Sequence, residues 1–469
     1  MSFRIQILFG LAFCLSPTAM ADPPALPAGL DDLGTLEASQ SSETQSIPPL
    51  PEGLGALSSM SPTEGAVSPK ESRSKRLSGR FSGFAELRSG IRLQNDPYSD
   101  EATLNEFRLQ TQLSGSAKPF RYSLTLDWVA DGEADSSAID LGNGRGWIDP
   151  REAWLSAQPL DFLDLKVGRQ IVTWGTGDLL FINDLFPKDW QSFILGRDEE
   201  YLKAPSDTVK VSAYNQWMNF DFVYTPEFDP DRFITGERIS YYDPSNGSLA
   251  GKNRIIRPDY PDDETLSLRA HRLLGSSEVS FYFTNGRWTQ PLGFDPDANQ
   301  AIFPRLETIG ASWRQPLAGG IFSAEAGHYD SLDDPDGDNP NIQNSQTRAL
   351  IGYEKELARN LTGSFQYYIE QTRDYSSIES SDARPGRTRE VLTARLAKLM
   401  MMQNLRLSLF LFYSPSDQDG YIRPSLHYSF NDEWKTSLGG NIFLGETSQT
   451  FFGQLENNTN AYLSIQRYF

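Results

Sequence analysis

The chain has 469 residues and a formal net charge of -20, with 22% charged and 38% hydrophobic residues. That balance excludes a bundle of membrane-spanning helices, and no basic domain is available to track the phosphates of a nucleic acid. The only cysteine, Cys14, lies near the start, which excludes disulfides, thiolate metal sites and CxxCH haem attachment from the mature chain.

Residues 1–21 carry Arg4, an apolar stretch over 5–15, and Ala19 and Ala21 where a signal peptidase reads small side chains. They predict a signal peptide cleaved after Ala21, the competing reading being a buried N-terminal helix. Bulky Phe13 beside Cys14 argues against a lipoprotein signal. Residues 22–78 turn to Pro, Ser, Gly, Leu and Glu without helical or alternating period, which predicts a disordered periplasmic arm. Within it, Leu26-Pro27-Ala28-Gly29-Leu30 nearly repeats as Leu50-Pro51-Glu52-Gly53-Leu54. The pair reads either as short linear motifs for a periplasmic or inner-membrane transporter or as plain spacer. Lys70, Arg73, Lys75, Arg76 and Arg80 close the arm, a cluster suited to lipid headgroups. No apolar run long enough for a membrane helix follows, so an exported chain is left with two forms, soluble or a barrel.

From Gly79 the dominant pattern has period two. Phe107, Leu109, Thr111 and Leu113 alternate with Arg108, Gln110 and Gln112; Phe120, Tyr122, Leu124, Leu126 and Trp128 alternate with Arg121, Ser123, Thr125 and Asp127. Similar strands recur to the end of the chain. Short connections are expected at 114–119, 158–162, 217–219, 275–277, 316–320, 357–360, 401–404 and 431–433. Longer acidic or Gly/Pro-rich stretches fall between them. Short turns alternating with long loops mark an outer-membrane barrel, with short turns on the periplasmic side. Residues 79–469 therefore predict an all-β, transmembrane antiparallel β-barrel of about 18 strands, 16 being the competing count. Outer-membrane lipid and lipopolysaccharide are its expected surroundings. Phe469, at the end of an alternating strand, resembles the signal read by the barrel-assembly machinery, although Arg467 stands where an aromatic is commoner.

If the apolar members of each strand face lipid, the others face the lumen. These include Arg88, Arg92, Arg108, Arg121, Lys166, Lys210, Arg269, Arg314, Arg348 and Arg395, against a smaller set led by Glu86, Glu106, Asp127, Glu325 and Glu370. Rings of cations on a pore wall favour anions. Alternatively, loop carboxylates balance the arginines and stiffen a plugged barrel. The loop over 174–203 is too apolar to stay in water, so it is expected either to fold inward and constrict the lumen or to pack as a lid on the rim. Trp174 and Trp190 belong to its apolar set. Lys188, Arg197 and Lys203 are expected to face the permeating molecule, with Asp184, Asp189, Asp198, Glu199 and Glu200 opposite. Residues 333–339 resemble the start of a calcium loop but lack its bidentate Glu, so no metal is assigned. His271, His328 and His427 stand in no hydrolase or metalloprotease motif; no catalytic residue and no cofactor are expected.

Arg151-Glu152-Ala153-Trp154-Leu155, followed by Leu165-Lys166-Val167-Gly168-Arg169-Gln170 and Trp174-Gly175, resembles a strand pair of uncharacterised proteobacterial porin-like barrels. More loosely, it resembles alginate-export porins. Gly440-Asn441-Ile442-Phe443 with Thr450-Phe451-Phe452-Gly453-Gln454-Leu455 resembles the end of such barrels. The first likeness implies the fold, and the second the passage of an anionic polymer. Three functions follow: a channel for an anionic or amphipathic solute, a docking component whose arm recruits a transporter, and an outer-membrane enzyme.

Overall fold

A computed structural model describes residues 78–134, 138–142, 144–375 and 386–469. The expected signal segment, the arm with its repeat, and the basic cluster up to Arg76 lie outside the described residues. Eighteen barrel strands are numbered here along the chain. They are β1 Ser78–Arg92, β2 Ala102–Ala117, β3 Phe120–Asp131, β4 Ile148–Leu160, β5 Leu163–Gln170 and β6 Ser206–Ala213. Next come β7 Asn219–Thr225, β8 Thr265–Leu274, β9 Ser277–Arg287, β10 Arg305–Leu317, β11 Gly320–Ser331 and β12 Gln346–Ala358. The last six are β13 Leu361–Thr372, β14 Thr388–Met400, β15 Leu405–Ser414, β16 Asp419–Ser429, β17 Trp434–Gly445 and β18 Asn460–Tyr468.

Each strand pairs antiparallel with the next, and β18 pairs with β1 from Phe84↔Tyr468 to Arg92↔Asn460, closing the sheet. Gly83 and Phe469 exchange backbone hydrogen bonds of 3.1 and 3.0 Å across this seam. Closure leaves no edge strand, the condition for a sheet in hydrocarbon, where an unpaired peptide group costs several kcal/mol. All eight short connections fall at one end, at the places expected.

Side chains sort as the period requires. Phe107, Phe281, Ile309, Ile351, Phe365, Leu438 and Leu463 point outward and are 43% to 56% exposed. Their neighbours along each strand, among them Arg108, Tyr282, Thr308, Leu350, Gln366, Ser437 and Tyr462, point inward and are buried. A sheet apolar on its convex face and polar within is an outer-membrane barrel, not a soluble sandwich. Two small hairpins, 241–250 and 293–302, decorate the long-loop end.

Candidate functional site

The 171–205 loop packs within the barrel, its residues bonded to inward-facing side chains on both sides of the lumen. Asp189 caps the short helix α1, Trp190–Leu195, by accepting from Ser192 N at 2.7 Å, and Gly196 ends it in a left-handed conformation. The Ile194 carbonyl, left free at the helix end, accepts from Asn441 Nδ2 and Asn460 Nδ2, each at 2.9 Å. Across the lumen on β11, Glu325 accepts from Thr176 N and Oγ1 and from Asn183 N and Nδ2, at 2.7 to 3.0 Å. Four donors on one buried carboxylate replace water without a neighbouring cation.

Apolar contact does the rest. Phe193 meets Tyr421 edge-on at 5.7 Å, and Tyr421 stacks on Phe443 and Phe452 at 5.1 and 5.3 Å. Leu350, Val391, Phe410 and Phe412 are further wall residues of the same cluster, all under 9% exposed. This apolar inner wall was not among the expectations. It is signalled by consecutive apolar residues that break the alternation, as in Leu409-Phe410-Leu411-Phe412 and Ile442-Phe443-Leu444: a strand covered on both faces loses its polar face.

The lumen cations divide into two groups. In the first, each guanidinium is paired. Arg88 meets Glu86 at 2.5 Å, Asp198 at 2.7 Å and the Gly196 carbonyl at 2.6 Å. Arg108 bonds Glu106 and Asp127 and lies over the Tyr201 ring. Arg348 meets Glu370 at 3.2 Å and stands 4.0 Å from the Tyr329 ring centre. Arg395 is held by two loop acids, Nη1 and Nη2 on Glu199 at 3.0 and 2.8 Å, and Nε and Nη2 on Asp178 at 2.7 and 2.8 Å. Arg92 binds Asn458 and the carbonyls of Asp100 and Arg238. Lys210 and Arg269 share Asp221, at 3.6 and 3.2 Å.

The second group lies close to the short turns. Arg121, Arg314, Arg406, Lys435 and Lys166 form no ion pair among the described residues; Lys166 stands over the Trp154 ring, 4.1 Å away, with Glu152 as a neighbouring acid. Asp164, Glu278 and Glu354 face inward in the same band and Glu152 lies beside Lys166, four acids to the five cations.

The expected constriction residues are placed differently. Lys188 is 3% exposed and bound to Asp184 at 3.0 Å, so it faces the protein rather than a solute. Arg197 clamps Glu106 on the wall at 2.6 Å, and Lys203 reaches Thr173 Oγ1 at 2.7 Å. Trp174 packs against Phe186 and Tyr282, and Trp190 donates to Asp231 at 2.8 Å. Glu200 is the exposed acid of the loop. Asp334 turns its carboxylate onto the N–H groups of Asp338 and Asn339, and no three His, Cys, Asp or Glu converge on a metal position among the described residues.

Burial lifts both loop acids on Arg395, yet that guanidinium draws Glu199 down to about 2 while Asp178 stays raised. A lowered carboxylate supports the folded state above its free value of 4.5 and loses that support as pH falls toward 2. The raised Asp178 acts in the opposite sense, above 3.8. The Glu199 half of the latch should thus fail between pH 4.5 and 2, seen as conductance rising across that window in single-channel records and not doing so in Glu199→Gln. A flat pH response of the unmodified chain speaks against the latch.

No protein-family model matches this sequence, and no curated protein does. Among solved structures, OccAB4 of Acinetobacter baumannii superposes with a TM-score of 0.51 at 7% identity, over 85% of this chain and 100% of that one. OccK2 (OpdF) of Pseudomonas aeruginosa gives 0.51 at 10% identity, over 83% and 97%. OccD3 (OpdP), also of Pseudomonas aeruginosa, gives 0.50 at 9% identity, over 83% and 90%. At such identity the likeness is one of fold: this chain shares the closed, porin-like β-barrel of these structures.

Proposed function

We propose that the protein is a non-enzymatic outer-membrane channel for small anionic or amphipathic solutes, which cross down their own gradient past the inserted loop. The observation that carries this reading is the band of cations near the short turns, where Arg121, Arg314, Arg406, Lys166 and Lys435 form no ion pair among the described residues. An unpaired charge on a narrow water-filled wall is felt over roughly a Debye length, about 8 Å at physiological salt, so it lowers the barrier for an entering anion and raises it for a cation.

Replacing Arg121, Arg314 and Arg406 together by Gln keeps their bulk and removes three charges. Chloride-over-potassium permeability in planar bilayers should then fall about fivefold, the effect of roughly 1 kcal/mol of lost attraction. Unaltered selectivity in this variant overturns the assignment.

A further inference from the structure

The short-turn end of the outer wall is mostly apolar, with Phe162, Trp217, Leu274, Phe430 and Phe469 each more than half exposed. On β12 to β14 that changes. Alternation puts Lys355 on the outward face of β12 with Ile351, and puts Lys398 on the outward face of β14 between Leu396 and Met400. One strand separates them: Gly363 of β13 pairs with Lys355 on one side and Leu396 on the other. The two lysine-bearing strands are thus roughly 10 Å apart, two strand spacings. Arg359 is exposed in the turn between β12 and β13.

None of the three cations forms an ion pair among the described residues. Lys355 Nζ donates to the Ala318 carbonyl at 3.1 Å and Lys398 Nζ to the Arg359 carbonyl at 2.9 Å, which leaves two of the three N–H donors on each ammonium. Glu356, the acid next to Lys355, belongs to the inward face of β12 and accepts from the Asn360 N–H at 2.9 Å. Between the lysines the wall is apolar. Leu357 and Leu396 flank Gly363 on its outward side, and Phe365 lies one step further along β13. Hydrocarbon has to cover that floor. A single lysine at such a border needs only water for its head, but three unpaired cations around one apolar floor repel one another until an anion joins them. An acyl chain and a phosphate in one molecule meet both needs.

We propose that Lys355, Arg359 and Lys398 form a headgroup site for an anionic phospholipid of the periplasmic leaflet, its phosphodiester on the three cations and its acyl chains against Leu357, Phe365 and Leu396. Short turns face the periplasm in such barrels, which fixes the leaflet. The inference rests on the outer-membrane placement of the barrel and is independent of the solute that it passes.

The test reconstitutes the full chain in vesicles of phosphatidylethanolamine with a minority of phosphatidylglycerol and reads the lipids that stay bound by native mass spectrometry. The retained fraction of phosphatidylglycerol over phosphatidylethanolamine is expected about tenfold above the vesicle ratio, equivalent to about 1.4 kcal/mol. Lys355→Gln, Arg359→Gln and Lys398→Gln should each lower that enrichment about twofold, and together return it to the vesicle ratio. Arg272→Gln, which removes a lone outward cation on β8, should leave it unchanged. Retention of the two lipids in the vesicle ratio by the unmodified chain overturns this inference alone, as does an enrichment that survives the single substitutions or falls equally in Arg272→Gln. A chain that does not enter vesicles overturns the membrane placement as well.

Discussion

Replacing Arg395 by alanine should release the inserted loop and raise single-channel conductance severalfold. Arg395 rises from β14 and is the only described side chain bonded to both Asp178 and Glu199, near opposite ends of the loop. Its side chain is 7% exposed, while those of the two acids are 23% and 27% exposed. Removing one partner of a buried ion cluster leaves the others desolvated without compensation, at a cost of about 3–5 kcal/mol. The loop can shed that cost by swinging its acids into water, whereas the barrel cannot rearrange without breaking its ladder. Conductance should therefore change while the heat-shifted electrophoretic mobility of the folded barrel is retained. Adding Asp178→Asn and Glu199→Gln to Arg395→Ala removes the orphaned charges and should restore part of the closed conductance, a coupling that independent sites would not show. A single variant with ordinary conductance shows that the loop is held elsewhere.

Gly196→Val attacks the same docking from the backbone. Gly196 ends α1 with φ 95, a conformation that a β-branched residue adopts only under strain. A Cβ there lies 2.3 Å from Cδ1 of Tyr462, on the wall strand β18. The Gly196 carbonyl also accepts from Arg88, so a shift of this turn loosens the Asp198–Arg88 pair beside it. Strain of about 1–3 kcal/mol and overpacking of similar size together exceed what one turn of helix can absorb. The expected result is a dislodged loop with a wider, noisier channel. Tyr462→Ala in the same chain relieves the collision but not the backbone strain, so it should recover only part of the effect. If Gly196→Val leaves conductance unchanged, the turn at the end of α1 does not seat the loop.

The barrel was legible because two solvents act on it. Hydrocarbon outside and a polar interior impose period two on Phe107 to Leu113 and on Phe120 to Trp128, and the contrast between short turns and long loops narrows the strand count to 18 or 16, of which the barrel has 18. The inner surface was less legible. Alternation places Arg88, Arg108 and Arg395 on the lumen face but says nothing about what covers them, because their partners are distant in sequence: Asp198 is 110 residues from Arg88, and Glu199 is 196 from Arg395. Lys188 shows the same limit. A lysine in a loop looks available for solute, yet here Asp184, four residues before it, and the Phe186 carbonyl enclose it. Apolar residues such as Phe410 and Tyr421 deviate from a polar lumen because a loop, not water, lies against them.

The reversal potential of the unmodified chain across a KCl gradient tests the central claim most directly. A channel whose uncompensated wall charges are cationic gives a potential of the sign set by chloride, and its magnitude falls as rising salt shortens the screening length. A potential of the sign set by potassium, or a correctly folded barrel that passes no current, contradicts the claim that this lumen is an anion path.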